Sequence, residues 1–87
     1  MEHAREDASG FDELERLGRE IEDLAAQKLV LEQSVRRMRE AEDMKKGVSF
    51  AQEIFHAQQE RLRMEVEMDI RRKRINRIRL AENGWEQ

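Results

Sequence analysis

Apolar residues return every three or four positions through the first half of the chain, which is the spacing of one side of an α-helix. In heptad notation they occupy most a and d positions, as in a helix that packs lengthwise against another helix. The a positions are Leu14, Ile21, Lys28, Val35 and Glu42, and the d positions are Leu17, Leu24, Leu31, Met38 and Lys45. This pattern predicts a first helix over about residues 10–46.

The second half carries a similar apolar row, which predicts a second helix over about residues 49–83. Its members are Phe50, Ile54, Ala57, Met64, Met68, Ile75 and Ile78. Arg61 and Arg71 interrupt this row, and both can lay their aliphatic stems on apolar neighbours. The two rows together are called the seam.

Gly47 and Ser49 mark the break between the two helices. Gly47 can take the left-handed conformation that ends a helix, and Ser49 can cap the next one in a capping box with Gln52. Residues 1–8 are expected to be a mobile tail. The sequence therefore predicts one helical-hairpin domain over residues 9–87, with its turn at 47–48.

The far end of the second helix has its own stop signal. Gly84 suits the left-handed position after the last helical residue, and Trp85 would then pack back on Leu80. This interpretation explains the lone tryptophan as part of a helix end rather than as an exposed recognition residue.

Folding the chain at Gly47 and Val48 pairs positions whose numbers add to about 95. The seam then holds along nearly the whole length, with Leu17 beside Ile78. Residues 1–23 hold nine acids and three bases, whereas residues 71–79 hold six bases and no acid. The pairing places the basic segment beside residues 16–24, and opposite charges favour this antiparallel arrangement over a parallel one. The predicted fold is an all-α antiparallel two-helix hairpin.

A β-hairpin over residues 62–80 is the competing interpretation. Residues 62–70 alternate apolar and charged side chains, as a strand does. Helix is favoured because Glu, Met, Leu and Arg are helix formers, and because the basic run at 71–74 is poor turn chemistry.

Composition narrows the functional classes. Of the 87 residues 43% are charged, there is no cysteine, and the net charge is only −3. A disulfide framework and a thiolate metal site are thereby excluded. The chain has no apolar run long enough for a bilayer and no secretory leader at its start, so the expectation is a cytoplasmic protein, or a nuclear one in a eukaryote.

A second apolar row on the second helix lies nearly opposite the seam, where a two-helix hairpin cannot cover it. Phe11 and Leu29 add apolar surface on the first helix, and the small residues Gly18 and Ala25 lie between them. We therefore expect a homodimer that forms a four-helix bundle, or a second protein partner. The predicted partner-binding residues are Phe55, Leu62, Val66, Ile70, Leu80, Phe11 and Leu29.

The alternative function is nucleic-acid binding by a basic helix, since Lys and Arg side chains contact phosphates. The residues concerned are Arg71, Arg72, Lys73, Arg74, Arg77 and Arg79. Against it, the chain is net acidic, and no aromatic residue is interleaved for base stacking.

Metal and enzyme chemistry find little support in the sequence. Glu53 and His56 have the Glu-x-x-His spacing of di-metal bundles, with Glu60 one turn further, but no second such motif supplies the other ligands. Ser9 and Ser49 lie where helix caps are needed, and no nucleophile–base pair is visible. The sequence predicts no catalytic residues, metal or cofactor, and a non-enzymatic protein–protein interaction module, either an assembly adaptor or a small regulator.

Overall fold

The computed structural model describes the backbone of residues 2–83 and the side chains of residues 10–82. Helix α1 spans Glu2–Ala41 and helix α2 spans Ala51–Asn83, with a short 3-10 helix at Met44–Lys46 between them. Ion pairs join Glu13 to Arg74 and Glu20 to Arg71, so the two long helices run antiparallel. The predicted all-α hairpin is confirmed.

The β-hairpin alternative for residues 62–80 is wrong. Helix α2 passes through this segment without a break, and the described residues contain only one isolated bridge, between Asp43 and Val48. The alternating pattern arises because the row facing α1 and a second row on the far side of α2 overlap there.

The seam lies where its spacing predicts. Its most buried members are Leu17, Val35, Met64 and Met68, each with 6–8% of its surface exposed. The remaining seam residues of α1 and α2 are half-buried, as are Arg61 and Arg71. Only Lys45 is exposed, because it lies in the 3-10 helix and not in α1. No described side chain is fully buried, as expected for a core between only two helices.

The turn begins earlier than the sequence predicts. Helix α1 ends at Ala41 instead of near residue 46, and Asp43 caps the 3-10 helix by accepting from the amides of Lys45 and Lys46. Gly47 does adopt the left-handed conformation, with φ 73°, but it ends the 3-10 helix rather than α1. An aspartate side chain that accepts from nearby backbone amides offers the chain an alternative to helical hydrogen bonds. Asp43 therefore disfavours continuation of α1.

The start of α2 also differs in detail from the predicted capping box. The Ser49 hydroxyl accepts from the amide of Ala51 at 3.3 Å, not from Gln52. The Glu42 carboxylate accepts from the amide of Phe50 at 3.0 Å and so ties the end of α1 to the beginning of α2. The amides of Asp43 and Val48 each donate to the other residue's carbonyl, at 2.9 and 2.8 Å.

The earlier turn shifts the register of the two helices. Asp43 lies opposite Val48, and their numbers add to 91. The cross-helix ion pairs Glu13–Arg74, Glu20–Arg71 and Lys28–Glu65 add to 87, 91 and 93, so the pairing is centred near 91 rather than 95. One helix is therefore displaced by about four residues, or one turn, along the other. Because seam residues recur every three or four positions, a shift of one turn leaves the same side of each helix facing its neighbour.

Both chain ends carry predictions that the structure addresses only in part. The backbone of α1 reaches back to Glu2, through most of the predicted tail at residues 1–8. Side chains of residues 2–9 lie outside the described part, and so do Gly84 and Trp85 with their predicted helix-ending contact. Helix α2 is described as far as Asn83, where the described backbone stops, so the predicted helix end near residue 83 stays a prediction.

Candidate protein interaction surface

Helix α2 presents a row of large apolar side chains to solvent, here called the outer stripe. Its members are Phe55, Leu62, Val66, Ile70 and Leu80, with exposed fractions between 47 and 66%. At 100° per residue these positions lie roughly opposite Met64 and Met68, which face α1. The outer stripe is therefore the side of α2 that α1 cannot reach.

The shape of the hairpin explains why nothing within the chain covers this stripe. The molecule measures 69 × 24 × 14 Å, so it is a single layer of two helices side by side. Each helix has one side against its neighbour and the opposite side in water. The predicted exposure of the partner-binding residues on α2 is what the structure shows.

The outer stripe is apolar in its first part and polar further on. Lys73 comes 18 residues after Phe55, which is about five full turns, so it lies in the line of the stripe. Its ammonium is 3.0 Å from the carboxylate of Asp69, and both side chains are more than half exposed. Sequence reasoning missed this pair, although the spacing from Phe55 reveals it. Four of the five apolar members thus lie between Phe55 and Ile70, with Gln59 between Phe55 and Leu62 and with Asp69 beside Ile70.

Helix α1 contributes fewer apolar residues to the outside. Phe11, Leu29 and Val30 are 60, 54 and 59% exposed. Sequence reasoning placed Phe11 and Leu29 beside the outer stripe. The observed register brings Leu29 level with Leu62, and Phe11 level with Leu80, since each pair of numbers also adds to 91. Gly18 lies between them, and a methyl group added there would meet nothing within 4 Å.

Arg71 is the most engaged residue of the basic segment. Its guanidinium donates to Glu20 on α1 at 2.9 Å, and to the carboxylate of Glu67 at 2.7 Å and the Glu67 carbonyl at 2.9 Å. These bonds to Glu67 and Glu20 raise the pKa of Arg71. The bond from Arg71 lowers the pKa of Glu20 below its ordinary value. This arginine therefore joins the helices and is not free to bind phosphate.

Half of the basic segment is neutralised within the hairpin. Arg74 donates to Glu13 at 2.8 Å, a bond that lowers the pKa of the Glu13 carboxyl, and Lys73 is paired with Asp69. Within residues 10–82, the bases of this segment without an ion pair are Arg72, Arg77 and Arg79. Arg77 lies about 140° around the helix from Arg72, so the three do not form one row.

A groove of about 570 Å³ lies between the helices near the turn. It is lined by Glu32, Val35, Arg36, Arg39, Glu40, Gln58 and Arg61. The Nε of Arg61 is buried without an acceptor, and the nearest carboxylate contact of this side chain is Glu65 at 4.0 Å. The charges of the groove are mixed, since three arginines and two glutamates line it.

The Glu-x-x-His spacing does not assemble a ligand cluster in the described structure. Residues 10–82 contain no group of three or more His, Asp or Glu side chains that could hold a metal ion. His56 is exposed, and its ring packs edge-on against Phe55 with 5.9 Å between centroids. Ser49 is engaged at the start of α2, and the side chain of Ser9 lies outside the described part.

No helix within the described residues is long and apolar enough to cross a membrane. Comparison of the chain with protein-family models, with curated proteins and with solved structures finds no match. Function is therefore argued from the surface itself.

Proposed function

We propose that this chain is a non-enzymatic protein–protein interaction module that self-associates through the outer stripe of α2, so that two hairpins form a four-helix bundle. The observation that carries the proposal is the stripe itself, five large apolar side chains about half exposed on one side of one helix. Burying such a row against another helix removes apolar surface from water, at about 25 cal/mol per Å².

Self-association is favoured over a foreign partner for two reasons. Symmetric homodimers are the commonest assemblies of soluble proteins. A second hairpin also supplies a matching helix with a stripe of the same length, whereas a foreign partner would have to bring its own. The resulting dimer would act as an assembly adaptor or a small regulator, through the surface that the bundle leaves exposed.

Nucleic-acid binding by residues 71–79 is the less favoured alternative. Phosphate binding needs several free cations along one side of a helix. In the hairpin Arg71 and Arg74 hold α1 in place, and Lys73 is paired with Asp69. Recruiting these side chains to phosphate would break contacts that join the two helices.

The test is the absolute solution mass by light scattering. Wild-type protein is expected at twice the 10.4 kDa chain mass. The double variant Leu62→Glu plus Val66→Glu is expected to be monomeric, because four carboxylates would have to be buried at the dimer interface.

A matched control carries the same two changes on α1. Ala26 and Val30 have the same spacing as Leu62 and Val66, are exposed, and lie on the side of α1 away from the seam. Ala26→Glu plus Val30→Glu should leave the dimer intact. A monomeric wild type, or a dimer that only the control pair dissociates, would contradict the proposal.

A further inference from the structure

We infer that the two copies pair antiparallel, α2 against α2, with the two-fold axis crossing α2 between about residues 62 and 66. This inference rests on the proposed self-association and adds its orientation. The axis position follows from the extent of the stripe, since its part from Phe55 to Ile70 is centred near 62–63. Ala51 is also exposed and lies one turn before Phe55, and the row from Ala51 to Leu80 is centred near 65–66.

A parallel pairing would bring like charges together. Each residue of the stripe would then face its own copy, because the two-fold axis runs along the helices. Lys73, in line with Phe55, would meet the second copy's Lys73, and Asp69 would meet the second copy's Asp69. The basic segment 71–79 would also lie along itself. With packed helices about 8–10 Å apart, such repulsions are only partly screened.

An antiparallel pairing removes these contacts. With the axis at 62–66, the two basic segments lie at opposite ends of the bundle. Lys73 comes level with residues 51–59 of the second copy, a segment with one acid, Glu53, and no lysine or arginine. That segment includes Phe55, on which the lysine stem can pack with its ammonium over the ring.

The other member of the ion pair also meets a favourable charge. Asp69 comes level with residues 55–63 of the second copy, which contain Arg61, Arg63 and one acid, Glu60. Arg61 belongs to the seam and faces α1, whereas the Arg63 side chain is 64% exposed and bonded to Glu60 at 2.8 Å. The Asp69 carboxylate therefore meets a segment of the second copy that has two bases and one acid, with Arg63 on its exposed side.

The same arrangement places apolar and polar groups where interfaces usually have them. Leu62 and Val66 bracket the axis and meet at the centre, whereas the Asp69–Lys73 pairs move outward to the rim. An apolar centre with a polar rim is the common anatomy of protein interfaces.

The distance between labels on the two copies tests the orientation. The chain has no cysteine, so each single-cysteine variant takes one nitroxide label per copy. In Asn76→Cys the axis position predicts about 30–42 Å between copies along the helix direction, at about 1.5 Å per residue. In Arg63→Cys, close to the axis, the same separation is at most about 9 Å. Electron paramagnetic resonance measures both.

A long distance at position 76 with a short one at position 63 supports the inference. A dimer with short distances at both positions is parallel, which overturns the orientation and leaves the proposed self-association standing. Labelled protein that light scattering shows to be monomeric, like unlabelled wild type, overturns both.

Discussion

The two helices of the hairpin differ in how many apolar sides they have. Helix α1 has one continuous apolar row, which faces α2, and on the outside only separated residues such as Phe11 and Leu29. Helix α2 has that inner row and the outer stripe nearly opposite. A hairpin covers one row per helix, so α2 is left with a second row of apolar side chains exposed.

The largest expected effect comes from truncating one large apolar side chain on each side of α2. Met64 is 8% exposed toward α1, whereas Leu62 is 47% exposed on the outer stripe. Met64→Ala is expected to lower the free energy of unfolding by about 2–3 kcal/mol, because it removes buried atoms and leaves a cavity. Urea denaturation followed by circular dichroism measures the loss.

Leu62→Ala is the matched control for that loss. It should weaken only the part of the stability that rises with protein concentration, because in the proposed dimer the contacts of Leu62 lie between copies. If both variants lose the same free energy at every concentration, the two sides of α2 are equivalent and the distinction fails.

Two glycines test how the backbone conformation of a regular helix differs from that of the turn. A methyl group at Gly18, within α1, meets nothing within 4 Å, so Gly18→Ala is expected to stabilise the hairpin by about 0.5–1 kcal/mol. Gly47 has φ 73°, so Gly47→Ala is expected to cost about 1 kcal/mol. Thermal unfolding of the two variants should shift in opposite directions.

A dimer weakened by Gly18→Ala despite a more stable hairpin would show that this glycine lies in a close contact between copies. The same sign of shift for both glycines would contradict the turn geometry, since only one of them has a positive φ.

The smallest expected effect concerns the ion pairs that join acids of α1 to bases of α2. Bonds from Arg74 and Arg71 lower the pKa values of Glu13 and Glu20 in the folded chain. The unfolded chain then binds more protons, so this contribution is present above the ordinary glutamate pKa of about 4.3 and is lost as pH falls through the folded pKa. The thermal midpoint should therefore fall on acidification.

Substitution of both acids separates this effect from general acid unfolding. The thermal midpoint of Glu13→Gln plus Glu20→Gln should fall less steeply on acidification than that of wild type. Glu15 and Glu22 are exposed and have no ion pair among residues 10–82. The thermal midpoint of Glu15→Gln plus Glu22→Gln should therefore depend on pH as that of wild type does. If the thermal midpoints of both double variants change equally with pH, the cross-helix ion pairs do not contribute to the pH dependence. Because the side chains are partly exposed, added salt should reduce the difference.

The seam was predictable because burial between two helices depends on spacing, and spacing is written in the sequence. Leu17, Val35, Met64 and Met68 lie on the predicted sides. The turn was less predictable because several caps compete within a few residues. By residue type Asp43 is a good helix cap, but Gly47 is the stronger stop signal. Only the folded turn shows that the chain uses both, Asp43 at the start of the 3-10 helix and Gly47 at its end.

The candidate surface was predictable as a set of residues and less so as a pattern. The exposure of Phe55, Leu62 and Val66 follows from their angle around α2 relative to the seam. The Asp69–Lys73 pair was missed because a search for apolar residues passes over charged ones in the same line. In the proposed dimer, that pair favours the antiparallel orientation of the two copies.

The amino-acid sequence by itself determined that the chain forms two long helices, which side of each faces the other, and that they run antiparallel. These features depend on periodicity and on net charge along the chain, which survive a shift of one turn. The tertiary structure decided the register, through the turn from Glu42 to Phe50, and with it which residues pair across the helices. Arg71 meets Glu20 instead of Leu24 because hydrogen bonds of Glu42, Asp43 and Val48 close the turn two residues earlier than Gly47 alone would.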